Sequence, residues 1–122
     1  MWKMAERAFA KTNALPTLIL QHHPPFLKTV AEAGGDYFNM EPYPRMRLLA
    51  LSRQGGAKAV LSGHIHRGLT NRYEGVLLYS TPPVAFGLPK DRQAEGWTLV
   101  TVGPKDVKTE FQPIPKIRLQ AK

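Results

Sequence analysis

Histidine is scarce in this 122-residue chain, and all four copies fall in two pairs that each close an apolar run: His22-His23 in QHHPPF, and His64 with His66 in LSGHIH. Neutral imidazole is a common ligand for zinc, iron and related metals, whereas several cationic imidazoles close together repel one another. Two such pairs therefore point to metal ligation, provided that the fold brings them together. Gly63 allows a sharp backbone turn before the second pair. If that segment is extended, a spacing of two projects His64 and His66 to one side, where they can share one metal or serve two adjacent ones. His22 and His23 are neighbours, so on an extended chain they face opposite ways and only one need be a ligand. The other has a hydrogen-bonding, substrate-facing or packing role.

The elements around these residues are expected to supply that proximity. Trp2 to Asn13 carries Trp2, Ala5, Ala8 and Phe9 at helical spacing, with no capping residue upstream, and Leu15-Pro16 ends it. Thr17 to Gln21 reads as a short strand stopped by Pro24 and Pro25. Phe26 to Glu41 is mixed: Leu27, Val30 and Ala31 suit a helical turn or two before Gly34-Gly35, and DYFNMEP reads as loop. Arg45 to Gln54, repeating Met46, Leu48, Leu49 and Leu51, predicts a second helix closed by Gly55-Gly56. AKAVLS, Ala57 to Ser62, is a second buried strand. Strand, helix, strand in this order suggests two parallel strands joined by a crossover, with both histidine pairs beyond the carboxyl ends where ligand sites gather. Leu69 to Tyr73 and Val76 to Ser80 flank Glu74-Gly75 as a hairpin, and Trp97 to Val102 with Val107 to Phe111 form a last strand pair. The fold class is thus α/β in the first half and antiparallel β in the second, with no internal repeat or linker.

The bulk numbers bound the function. At 43% hydrophobic residues the chain suits one small globular domain, and no apolar stretch approaches the ~20 residues of a membrane span. The start lacks a secretory h-region. Zero cysteines exclude disulfides and thiolate ligands and suit a reducing, cytoplasmic setting. A net charge of +8 favours acidic partners, although part of it lies in a basic tail over 114–122 and some serves solubility. No nucleic-acid motif appears, and aromatic and basic residues are not interleaved on any strand pair, so nucleic acid is not an expected partner.

LILQHHPPF followed by AVLSGHIH resembles the last two motifs of the calcineurin-like metallophosphoesterases. QHHPPF, GGDYFN and VLSGHIHRG together are similar to their phosphoesterase-domain serine/threonine phosphatases, over roughly residues 15 to 103. The resemblance implies the C-terminal half of an α/β sandwich, occupying 1–113. It implies His22 and His64 as ligands of one metal and His66 as a ligand of its neighbour in a two-metal centre of the Fe, Zn or Mn class. His23 would sit at the substrate edge. The implied reaction is hydrolysis of a phosphoric ester by metal-activated hydroxide.

The family's earlier motifs, Asp-x-His, Gly-Asp with a further Asp, and Gly-Asn-His-Asp/Glu, do not occur in these 122 residues. The expectation is a fragment with half a site, holding one metal or none, whose catalytic residues come from upstream or from a separate N-terminal chain. The alternative is a non-catalytic basic module that binds a metal or an anion. Of the remaining residues, Arg67 is a candidate for a bidentate phosphate contact or for plain solvent exposure. Asp36, Tyr37 and Asn39 either gate the site or make turns, Tyr79 to Phe86 lines a pocket wall, and Trp97 reads as core.

Overall fold

A computed structural model describes residues 2–11, 15–90 and 92–115. The expected helix end at Asn13 and most of the basic tail lie outside the described residues. Helix α1 spans Trp2–Ala10, strand β1 Thr17–Leu20, helix α2 Pro42–Gln54 and strand β2 Ala57–Ser62. Strands β3 (Leu69–Tyr73), β4 (Val76–Ser80), β5 (Gly96–Val102) and β6 (Val107–Pro113) follow.

Apolar runs without period-2 alternation are expected where both faces of a strand are covered, and AKAVLS behaves so: four of its six residues are buried. Strand β2 lies inside a four-stranded sheet of order β1-β2-β4-β3. The crossover expectation holds, since β1 and β2 are parallel and α2 connects them. One part of the antiparallel expectation does not. Strand β4 pairs with β3 as a hairpin but also lies parallel to β2, making a mixed sheet with an antiparallel edge. The second sheet is the β5–β6 ribbon. The hairpin turn places Glu74 at φ 44° and Gly75 at φ 87°, the paired left-handed conformation that a two-residue turn between twisted strands requires.

Register sorts the side chains by face. Ile19, Val60 and Leu78 are cross-strand partners and join Phe26, Leu48, Leu49 and Val76 in the core against the helices. Leu20, Leu61 and Tyr79, one residue further on, turn to the other face and line an open groove of about 390 Å³ with Trp97 and Thr98 of β5. Trp97 is therefore not core: it is 53% exposed on that groove.

Helix α2 starts earlier than the apolar pattern suggests, at Pro42. Pro42 and Pro44 fit the first turn, where no intrahelical N–H is needed. Its buried stripe is Arg45, Leu48, Leu49 and Ser52, at helical spacing but half polar, while Met46 is 45% exposed. Ser52 satisfies its hydroxyl on Leu48 O at 2.7 Å. Helix α1 packs on α2 through Phe9, whose ring occupies the space where a side chain at Gly55 would stand. Arg47 adds an exposed ion pair to Glu6 at 3.1 Å and lies 5.0 Å from the Trp2 ring centre.

The helical turn suggested for Phe26 to Glu41 is absent; the segment is a series of bends and turns. The backbone groups that a helix there would pair with one another are taken by side chains, the amides of Leu27, Lys28 and Thr29 by Glu32 and the carbonyls of Val30 and Glu32 by Arg45. Polar side chains organise the loop instead. The Arg45 guanidinium, fully buried, donates to the carbonyls of Val30, Glu32 and Met40 at 2.8, 2.5 and 2.6 Å, with Ala33 O at 3.5 Å. A buried cation with no carboxylate partner is tolerable only when acceptors surround it this densely. Replacing Arg45 by Met orphans those carbonyls, and we expect a loss of about 3 kcal/mol of stability in denaturant titration. Unchanged stability would mean that the loop carbonyls find other donors.

Candidate metal-binding histidine cluster

The parallel ladder continues past the ends of its strands. Gln21 N donates to Leu61 O at 3.0 Å, Gly63 N to His22 O at 3.1 Å, and Thr81 N to Ser62 O at 2.9 Å. Beneath it, the Ser62 and Ser80 hydroxyls meet at 2.6 Å and tie β2 to β4. The residues following β1, β2 and β4 therefore share one edge. There His22 Nε2 and His64 Nδ1, 42 positions apart in sequence, lie 2.9 Å from each other.

Both histidine pairs depart from the extended geometry. The chain bends at His22-His23, so the two rings do not face opposite ways: His23 lies 3.9 Å and His22 4.7 Å, centroid to centroid, from His64. Nor do His64 and His66 project together. They adopt φ 67° and φ 52°, in the left-handed region that costs a non-glycine residue roughly 1–2 kcal/mol. Between them Ile65 is 2% exposed, wedged into the protein, and its N–H turns back to Gly63 O at 2.8 Å. That wedge directs His64 toward His22 and His66 toward Phe86.

Carbonyl acceptors settle the tautomers. His64 Nε2 lies 2.7 Å from Tyr37 O and must carry the proton, leaving Nδ1 as the lone-pair nitrogen toward His22. His66 Nδ1 lies 3.0 Å from Phe86 O, which leaves its Nε2 free as an acceptor or ligand. Anchoring one ring nitrogen on a carbonyl is how ligand histidines are oriented. Crowding acts on His23, whose pKa is lowered by burial first and then by the charges of His64 and His22. Among the described residues, no three His, Cys, Asp or Glu side chains are grouped to hold one metal ion.

The other candidates fall into place around this cluster. Of the expected pocket wall Tyr79 to Phe86, Thr81 to Phe86 line a cavity of about 300 Å³ with Gly63, His64 and His66, while Tyr79 faces the groove on the other side. Arg67 is exposed beside an apolar notch formed by Phe38, Ile65, Leu88 and Pro89. Asp36 makes a turn, accepting the Phe38 N–H at 3.2 Å, and Asn39 packs the loop by donating to Glu32 Oε1 and Ala33 O. Tyr37 reaches the site by its carbonyl and by its ring, 4.6 Å from that of His64.

Glu32 was not singled out in the sequence, yet it shapes the loop that carries Tyr37. Its carboxylate accepts the backbone N–H groups of Leu27 (2.7 Å), Lys28 (2.8 Å) and Thr29 (3.3 Å). A Glu three to five residues after such amides, behind two prolines, is the faint signal that was available.

No family model matches the chain. It is similar to serine/threonine-protein phosphatase CPPED1 of Danio rerio, with 33% identity over 91 residues, 75% of this chain and 29% of that protein. CPPED1 of Rattus norvegicus is 32% identical over 84 residues, covering 69% and 27%, and that of Homo sapiens 30% over 74 residues, covering 61% and 24%. The chain belongs to the calcineurin-like phosphoesterase family. It spans less than a third of the length of these curated relatives.

Burial pushes the Glu32 carboxyl up, but the Leu27 amide, the Asn39 side chain and the Lys28 and Thr29 amides outweigh it and hold the pKa at about 2. A depressed carboxyl contributes stability that is complete above its unfolded value near 4.5 and is lost as pH falls toward about 2. Glu32→Gln is therefore expected to lower stability by about 1–2 kcal/mol at neutral pH and to converge on the parent near the lower limit. Urea titrations across that range test it, and an equal deficit at every pH would contradict the charge-based account.

Proposed function

We propose that this chain supplies the histidine half of a metal-dependent phosphoric-ester hydrolase site, with His22, His64 and His66 as metal ligands and His23 and Arg67 on the substrate side. The observation that carries this reading is the convergence of His22 and His64 at the carboxyl edge of a parallel sheet, where His64 and its neighbour His66 are both left-handed and each has one ring nitrogen held by a carbonyl. Strained residues of this kind persist where the surrounding fold imposes them, and they gather at functional sites. The phosphatase name of the relatives supports the reaction class.

The donor set fits a metal in part. His22 and His64 present nitrogens to a common point, while His66 has a free Nε2 but is turned toward Phe86. When bound, a pair of divalent ions of the Fe, Zn or Mn class supplies an activated water and a clamp on the phosphoryl oxygens. The chain's own residues do the positioning. Tyr37 O fixes the His64 ring, Phe86 O fixes that of His66, and burial and the neighbouring rings lower the pKa of His23, which favours its neutral form. The exposure of Arg67 beside the notch of Phe38 and Leu88 supports its role as a contact for an entering phosphate.

The oxygen ligands and the leaving-group acid of this reading come from outside the 122 residues, on the same polypeptide or on a separate N-terminal chain. A phosphoester substrate and a cytoplasmic setting belong to the same proposal. A net charge of +8 favours a second reading, in which a basic module binds a metal or an anion without catalysis.

Elemental analysis of the dialysed 122-residue chain, with His64→Ala alongside, is the first test. We expect no more than one weakly held metal per chain, lost in the variant. In a protein that restores the upstream carboxylates, His64→Ala and His66→Ala should each cut phosphomonoester turnover by about a hundredfold or more. Near-parental turnover would overturn the ligand assignment, and tight metal binding without turnover in the completed protein would favour the second reading.

A further inference from the structure

At the opposite end of the parallel strands, roughly 20 Å from the histidines by the rise of a strand, three turns converge. They are the corner from α2 into β2, the Glu74-Gly75 hairpin turn and the turn between β5 and β6. Together they enclose a crevice of about 300 Å³ lined by Arg53, Lys58, Arg72 and Lys105 against Glu74 and Asp106, four cations and two carboxylates.

The carboxylates do not neutralise it. Glu74 is taken up by Arg53 at 3.0 Å. Asp106 folds over its own turn, its carboxylate filling the space above Gly103. Among the described residues, no ion pair reaches Lys58, Arg72 or Lys105. Three cations on separate elements thus line one concavity. A flat basic patch suits an extended polyanion. A crevice at the lower end of small-ligand volumes suits a compact anion that bears adjacent phosphates.

We propose that this crevice is a second anion site, separate from the histidine edge, for a small molecule carrying a diphosphate group. Lys58 holds β2, Arg72 the β3–β4 hairpin and Lys105 the β5–β6 turn, so one bound anion ties the ribbon to the main sheet through charge-assisted hydrogen bonds. The site has no catalytic group, and its effect is to stabilise and to join the two sheets.

The test is an NMR titration of the 122-residue chain with inorganic pyrophosphate in the presence of a chelator, against potassium chloride at matched ionic strength. Saturable shifts in the amides of the three turns are expected. They should weaken about a hundredfold in Lys58→Gln/Arg72→Gln, as the loss of two charge-assisted bonds at about tenfold each predicts, and stay unchanged in His22→Ala/His64→Ala. Lys105→Gln, on a separate turn, gives an independent loss if the double variant folds poorly. Adenosine diphosphate in parallel distinguishes a nucleotide, which would bind more tightly, from a free diphosphate, which would bind equally. Shifts reproduced by chloride, confined to the histidine edge, or indifferent to all three basic residues would overturn the site.

Discussion

The pairing of β1 with β2 is the constraint on which the site depends. A parallel register in which Leu20 faces Leu61 carries the ladder on to His22, whose carbonyl accepts from Gly63. A slip of one residue would send Ile19 and Val60 out of the core and Leu20 and Leu61 into it, so burial on one face fixes the register. The meeting of two imidazoles is thus a by-product of hydrophobic packing several residues away. The sheet needs no histidine to form; the histidines need the sheet to meet.

Above that framework lies a layer held by polar groups rather than by burial. Arg45 and Glu32 act on the same loop from opposite sides, one donating to its carbonyls and the other accepting from its amides. Between them they satisfy backbone groups that an irregular segment cannot satisfy alone. The loop reaches the cluster through Tyr37, so the orientation of the His64 ring is set at a distance by a buried guanidinium on α2.

This division explains what the sequence disclosed. Strands β2, β3 and β4 were legible to the residue, because apolar runs and a Glu-Gly turn bound them. The proximity of the two histidine pairs followed from strand order alone. Helix α2 was legible as a helix but not in its buried face, since Arg45 and Ser52 do not count as apolar in any periodicity. The loop was misjudged because its order comes from side chain to backbone bonds, which leave no period. The parallel contact of β4 with β2 depends on a sheet order that local patterns do not encode. The orientations of His64 and His66 hinge on a buried Ile65 between them, and an isoleucine between two polar residues reads equally well as ordinary alternation.

The two left-handed histidines set chemistry against robustness. A glycine at either position would ease the backbone while deleting an imidazole. Drift toward a sturdier chain therefore pulls away from the two imidazoles, and any selection that rewarded thermal endurance alone would erode them first.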